Sequence, residues 1–439
     1  MSSSPPGLFA PLRHPDFRSV VLGWLVSLLG DGVFRVSIAI QVYLVDPDPR
    51  SFAVVGLVWG LSQVVLLPVG GWAGDRFARR DLVLLADLWR AVAIGVLGVL
   101  SVTDRLTIPA LVVIAACFGA GNALFNPAAS ALIPELVPDG ELDRANAFLG
   151  AARPATLYIA GPLLGAVVIG FTEAGVAFLL DAVSFLVSAA LVARVPARPP
   201  RSAGAVGLVA QLREAGDGVA VVLATRWLLV GMLAATVSGM AFQGPFESLV
   251  PFRLISDFGY VDSRAGFALA PILAASGVGA VATAWWIGRH GLPRRLGVAY
   301  YWGEAAALLT LVPLGLMTSP TPGILAGVVI GAMFALTEVV WTTSVQRGVP
   351  RERLGRVASL DWMVGIGLGP VSFLLAGQLG ATFGAKPVLV TAGVLGAALL
   401  VALSFVPGAR AIGDPARPPA AAAEPARADT ATPREPSRG

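Results

Sequence analysis

The residues of this chain that could do chemistry are ionisable side chains set inside long apolar runs. Asp31 and Arg35 stand four apart in SLLGDGVFRVSIAIQVY, and Asp87 and Arg90 three apart in LLADLWRAV, so each pair shares one face if its run is helical. Glu304 (YYWGEAAALL), Glu338 (FALTEVVW) and Asp361 are single carboxylates among apolar residues. Charge in hydrocarbon is costly enough that such groups are functional candidates by default. A carboxylate stripped of water can carry a proton at ordinary pH, which is the chemistry of a coupled carrier. The two acid–arginine pairs can also be read as buried ion pairs that only neutralise each other. Asp181 (FLLDAVSF) reads as a helix-packing contact, and Glu247 and Arg253 as residues near a segment end that snorkel to water.

Other chemistries find little support. The single cysteine, Cys117, excludes an intrachain disulfide and a cysteine metal site, and His14 and His290 lie far apart in sequence. No nucleophile–base constellation or phosphate-binding loop is evident, so no enzyme, metal or cofactor is expected.

The elements that must position these groups follow from composition. Of 439 residues, 56% are hydrophobic and 13% charged, where a soluble domain carries about a quarter charged. Mean hydropathy is +0.77. The net charge of +4 does not point to nucleic acid, because the basic residues cluster in short loops beside apolar segments. Twelve segments of spanning length run at about 18–45, 52–73, 82–103, 108–130, 145–170, 174–195, 227–250, 265–288, 296–317, 322–344, 358–381 and 387–407. Backbone crossing hydrocarbon must satisfy itself, so these are helices, and the alternating polarity of a membrane barrel is absent. The fold expected is an all-α integral membrane protein of twelve transmembrane helices.

Alternate loops differ in charge. One set holds Arg76, Arg79, Arg80, Arg144, Arg194, Arg198, Arg289, Arg294, Arg295, Arg347 and Arg351, among others, and the other only Arg50, Arg105, Arg253, Arg264 and Lys386. The first set is expected at the cytoplasmic face, with both termini inside. Residues 1–17 form a cytoplasmic N-terminus with no removable signal peptide, 18–195 and 227–407 two six-helix bundles, 196–226 a cytoplasmic linker, and 408–439 a disordered tail rich in Ala, Pro and Arg. Within the linker, Leu208, Leu212, Ala215, Val219 and Leu223 keep helical spacing, predicting a helix lying on the membrane surface. VPDGELDR (Val137–Arg144) and VPRERLGR (Val349–Arg356) match at an offset of 212 residues, as do Gly165 and Gly377, which predicts two pseudo-symmetric halves in parallel.

Between the second and third segments lies GGWAGDRFARRD, Gly70–Asp81. Gly71 and Gly74 are small enough to admit another helix, and Asp75, Arg76, Arg79 and Arg80 gather charge at one membrane face. The pattern G-x-x-G-D-R-x-x-R-R resembles the signature loop between the second and third helices of the major facilitator superfamily, with Ala78 where glycine is usual and Asp81 where a last basic residue is usual. IAGPLLGA, Ile159–Ala166, resembles the G-P-x-x-G signature of that superfamily's exporters. There Pro162 kinks the helix, and Gly161 and Gly165 allow a neighbour to pass closely. SLLGDGVF, LVLLADLWRAV, NALFNPAASALIPELVP, IAGPLLG and FLLDAVSFLVSA together resemble the enterobactin-exporter and macrolide-efflux group, over about residues 15–407.

That resemblance implies the major facilitator fold, working as a monomer in a bacterial inner membrane. It implies efflux of a bulky amphipathic small molecule, a siderophore or antibiotic, driven by protons through alternating access. One departure is that many drug–proton antiporters carry an arginine in helix 4, and Cys117–Ser130 has none, leaving that part to Arg35 or Arg90. The alternatives are an uptake permease of the same fold, a membrane enzyme or a non-transporting receptor.

Overall fold

A computed structural model describes residues 9–138, 141–198, 219–259, 263–349 and 367–412, with 357, 360, 361, 364 and 365. The side chains of Asp75, Asp143 and residues 263–267 lie outside that description. All the regular structure among the described residues is helical. The first half holds α1 (Pro15–Val45), α2 (Pro49–Arg76), α3 (Arg79–Val102), α4 (Ile108–Leu136), α5 and α6 (Ala174–Val192). α5 runs through Leu142–Pro154, a π-helical turn at Ala155–Ala160 and Gly161–Phe171. The second half holds α7, α8 (Ser263–His290), α9, α10 (Thr321–Gly348), α11 (Gly369–Phe383) and α12 (Ala385–Leu403). α7 joins Arg226–Gly244, a second π-helical turn at Pro245–Leu249, and Val250–Ser256.

Local sequence accounts for the helix ends. Pro15, Pro49, Pro109, Pro322 and Pro370 lie in first turns, where a missing N–H costs nothing. Asp48 caps α2 by accepting from the Arg50 N–H at 2.8 Å. α11 and α12 are separated by Gly384 alone, at φ +85°, a conformation that favours glycine.

Ten of these helices are long and apolar enough to cross a membrane. The other two correspond to the segments expected at 296–317 and 358–381. α9 breaks at Thr310 into Leu296–Leu309 and Leu311–Leu316, because Pro313 has no N–H to give the Leu309 carbonyl. α11 is described over 15 residues only. Val92, Val113, Leu325 and Leu395 are 63–68% exposed on the bundle surface, an arrangement stable against lipid rather than water.

The two halves repeat one packing plan. In the first, α1 packs on α5 and α6, α2 on α4, and α3 on α4 and α6; in the second, α7 packs on α11 and α12, α8 on α10, and α9 on α10 and α12. Adding six to each helix number converts one set into the other. The 212-residue offset also acquires a structural meaning. Gly32 of α1 lies against Gly161 of α5, where a methyl would sit 2.6 Å from the Gly161 Cα. Its counterpart Gly244 lies against the Ser372–Phe373 backbone of α11, with a methyl 2.2 Å from the Ser372 carbonyl oxygen. The loop sequence 350–356 and most of the surface helix expected over 208–223 lie outside the described residues. Residues 219–224 are helical, with Val221 and Val222 buried. Packed chain continues past Pro407: Ala409 and Ile412 are buried, and the Arg410 guanidinium stacks over Phe405.

Leucine at Gly32 must push α5 aside, and overpacking of this kind costs about 1–3 kcal/mol. Gly32→Leu is therefore expected to lower the melting temperature in detergent, while Gly71→Leu, where a methyl meets nothing within 4 Å, leaves it unchanged; intrinsic fluorescence on heating reads both.

Candidate functional site

In the first half, α3 carries a buried ion pair. Asp87 is fully buried and Arg90 is 3% exposed, and the guanidinium Nη2 donates to Asp87 Oδ1. Ser188 of α6 donates to Asp87 Oδ2 at 2.7 Å. The Arg90 guanidinium lies between the rings of Phe125 and Phe185, at 3.9 and 4.4 Å, and Nη1 reaches Asn122 of α4 at 3.4 Å. Gly121 makes this possible, since a methyl there would sit 2.7 Å from Arg90 Cγ. The arginine that α4 lacks is thus delivered against α4 from α3. Asp31 and Asp181 both lie within electrostatic reach of Arg90 and of each other. Asp181 is fully buried and accepts from Ser184 at 3.2 Å through Oδ1, and its Oδ2 has no partner among the described residues. Asp31, Asp87 and Asp181 are thus all within electrostatic reach of Arg90, and Asp181 also packs against α1, where a methyl on Gly30 would sit 2.3 Å from its Oδ1.

Asp31 and Arg35 do share a face of α1, but Arg35 takes a different ion partner. Its Nη1 lies 3.6 Å from Oε1 of Glu247, on the π-helical turn of α7 in the other half, with the two side chains 34% and 33% exposed. Glu247 pairs across the halves while one third of its side chain stays exposed. Arg253 is 6% exposed, pairs with exposed Asp257 at 2.8 Å and donates to the carbonyls of Leu314 and Met317 at 2.6 and 2.9 Å, capping the end of α9 instead of snorkelling. Arg35 also lies 5.7 Å from the ring centre of Tyr158 on α5.

The second half groups the remaining candidates. Glu304 is 7% exposed and accepts from Ser238 of α7. Asp361 accepts from Trp341 Nε1 at 2.9 Å, and exposed Glu338 accepts from Thr342 at 3.2 Å. Glu338 is within electrostatic reach of both Glu304 and Asp361. None of the three joins an ion pair among the described residues. Trp341 stacks on Tyr300 at 5.2 Å beside them. Among the described residues no group of three or more metal-ligating side chains is close enough to hold a metal.

The loop after α2 binds its own half. Arg79 donates to Glu135 and to the Ala131 carbonyl of α4 at 2.7 and 3.1 Å. Arg80 donates to the Val192 and Ala193 carbonyls at 3.3 and 2.6 Å, satisfying the C-terminus of α6. Arg76 lies over Trp72 at 4.5 Å. Gly71 and Gly74 have open space beside them. In α5, Gly161 and Gly165 lie against the backbone of α1 at Gly32 and Val33, and Pro162 sits in the first turn after the π-helical turn, so the deviation is spread over that turn.

The halves meet at the end of the bundle away from the described termini. There α2 meets α11 through Gly56 against Phe373, Gly60 against Pro370 and Gly377 against Ala53. α5 meets α8 through Ile159 against Gly277, and α1 meets α7 through Tyr43 and Phe252, 5.6 Å apart. At the end bearing the termini, Gly71, Gly74 and Gly288 face open space. Among the described residues, the halves are joined at one end and stand open at the other.

Removing Arg90 strands Asp87 in an apolar interior, a loss of about 3–5 kcal/mol for buried pairs. Arg90→Ala should sharply lower the yield of monodisperse protein, and Asp87→Asn combined with Arg90→Gln should recover part of it, as read by size-exclusion chromatography.

A family model described as Major Facilitator Superfamily matches residues 20–370. The chain is 26% identical over 373 residues to the uncharacterized MFS-type transporter YfiS of Bacillus subtilis, covering 79% of this chain and 84% of the relative. It is 24% identical over 375 residues to the enterobactin exporter EntS of Escherichia coli, covering 84% and 86%. To macrolide efflux protein A of Streptococcus pyogenes it is 23% identical over 237 residues, 54% of this chain and 58% of that one. A bacterial homologue of the iron transporter ferroportin, solved in an inward-facing state, superposes with a TM-score of 0.64 at 16% identity, over 89% of this chain and 99% of that one. With four-fifths of its length matched and the same helical plan, the chain is a multi-pass membrane transporter belonging to the Major Facilitator Superfamily.

Proposed function

We propose that this transporter exports a bulky amphipathic small molecule, a siderophore or antibiotic, in exchange for protons. The observation that carries the reading is that ionisable groups lie inside both halves, which repeat one packing plan and meet toward one end of the bundle. That is the geometry of alternating access, in which two bundles rock about a midplane site. The exporter direction is supported by the likeness to EntS and macrolide efflux protein A and by the Gly161–Pro162–Gly165 sequence. The loops rich in arginine face the cytoplasm of a bacterial cell, both termini lie inside, and the open end faces inward. The two halves are 18–195 and 227–407, the linker is cytoplasmic, and the protein works as a monomer.

Asp31, Arg35, Asp87 and Arg90 in the first half, and Glu304, Glu338 and Asp361 in the second, are the coupling and substrate groups. Repulsion among the three second-half carboxylates falls when one takes a proton or when a cationic part of a ligand enters. The Gly71–Arg80 loop acts as an inner latch when the bundles rock the other way, with Gly71 and Gly74 leaving room for the opposite half and Asp75 meeting its helix.

Cells expressing the protein are expected to retain less of one or more compounds in a panel of siderophores and hydrophobic antibiotics, and a protonophore to abolish the difference. Efflux that survives the protonophore removes proton coupling from the reading. Glu338→Gln should flatten the pH dependence of flux.

Asp75→Asn and Gly71→Leu should each cut flux about tenfold or more, because a latch weakened by more than about 1.4 kcal/mol loses that much of the closed state. Folded protein should remain at the wild-type level. Wild-type flux in both variants refutes the latch.

A further inference from the structure

We propose that a cleft between α8 and α10, on the outer surface of the second half, seats one acyl chain of an anionic phospholipid, whose phosphate is held by the arginines of the α8–α9 loop. Such a lipid site stands independently of what the protein exports and of whether protons drive it.

Packing makes the cleft. Gly279 of α8 lies against the Val328 carbonyl of α10, and Gly331 of α10 against that of Ser276, so the two backbones touch there. Next to that contact Ala282 and Ala332 are too short to fill the gap, and Trp286 and Leu336 wall it. The result is an apolar cleft of about 350 Å³. Its place on the helix decides what enters it. Leu325, Val328, Val329, Ala332 and Leu336 recur at i, i+3, i+4, i+7 and i+11, which is one face of α10. Leu325 is 67% and Val329 41% exposed on the bundle surface. Phe334, two positions from Leu336 and so on the opposite face, packs on Phe242 of α7 in the interior. The cleft therefore opens to the bilayer, where hydrocarbon chains are at hand.

The cleft leads to a basic loop. Trp286 stacks on His290 one turn further along α8, and Arg289 lies over Trp285 at 4.5 Å. Arg294 and Arg295 follow just before α9, and all four basic side chains are exposed. Tryptophan rings with guanidinium groups just beyond them suit the headgroup boundary of a bilayer. From Ser263 to Gly303 the sequence contains no acidic residue. Among the described residues, Arg289, Arg294 and Arg295 join no ion pair. The corresponding loop of the first half differs, because Arg79 is spent on Glu135 and Arg80 on the C-terminus of α6. The second loop keeps the positive charge without those partners. A lipid phosphate matches the guanidinium fork, and basic clusters beside a membrane helix attract anionic lipid. A phosphatidylcholine headgroup, whose choline cancels its phosphate, gains less there. A chain wedged in the cleft braces α8 against α10, and α8 is the helix whose Gly277 meets Ile159 of the first half.

The test uses the full chain, delipidated in detergent, and native mass spectrometry. Dioleoylphosphatidylglycerol is the anionic probe and dioleoylphosphatidylcholine, with the same chains, the neutral one. The first phosphatidylglycerol should bind at least about tenfold more tightly than phosphatidylcholine. Arg294→Gln with Arg295→Gln should bring the two lipids level, and Arg294→Lys with Arg295→Lys should keep most of the preference. Ala332→Leu and Ala282→Leu fill the cleft from either wall and leave every arginine in place. Each should weaken phosphatidylglycerol binding at least about fivefold, with the lipid-free melting temperature showing that the variant is folded. Arg18→Gln with Arg194→Gln removes two exposed charges from the same end of the first half and should change nothing. Equal affinity for the two lipids, an equal loss in that control, or wild-type affinity in both cleft-filling variants overturns the site. Displacement of the lipid by millimolar glycerol phosphate does so too, since a free phosphate ester would then suffice without the chain.

Discussion

Charge that has left water must find charge or a hydrogen bond inside the protein, and this molecule is arranged around that requirement. Arg90 is the sharpest instance. It is held by Asp87, two aromatic faces and Asn122, with Gly121 giving it room. Asp87 is in turn held by Ser188, so three helices of the first half are fixed by one buried pair and its partners. Arg253 does comparable work in the second half, closing the end of α9 through two carbonyls. Around Glu304, Glu338 and Asp361 no ion pair forms among the described residues, and a proton or a guest would supply the neutrality.

The same logic makes each half a unit. Arg79 and Arg80 fasten the α2–α3 loop to α4 and α6 of their own half, and each half repeats the same internal packing plan. The halves are joined chiefly by α2 against α11 and α5 against α8. Two repeated units meeting at such an interface suit a rocking motion, since packed interiors deform little while interfaces switch.

Much of this was legible in the sequence. Helical class, the twofold repeat and the order of spans followed from hydropathy and from matching loops, because burying backbone in lipid leaves few choices. The Asp87–Arg90 pair was visible from its spacing. Partners across the fold were less so: Arg35 was read with Asp31, its neighbour on the helix, because i,i+4 spacing is local and the approach of α7 is not. Glu247 reads as a segment-end residue reaching for water, although the 212-residue offset that links Val137 to Val349 also links it to Arg35. Arg253 was misjudged for a similar reason, since its acceptors are main-chain carbonyls that carry no mark in the sequence. The break in α9 was signalled by Pro313, and the span was nevertheless drawn unbroken.

The joint between the halves has a kinetic consequence. Gly56, Gly60, Gly277 and Gly377 present bare backbone to the opposing helices. No bulky rotamers are interlocked across those contacts on the glycine side, so disengagement requires little side-chain rearrangement before the surfaces slip. Such a bearing has low internal friction. The pace of the cycle then falls to the events that load and unload charge and to the parting of Tyr43 and Phe52 from Phe252.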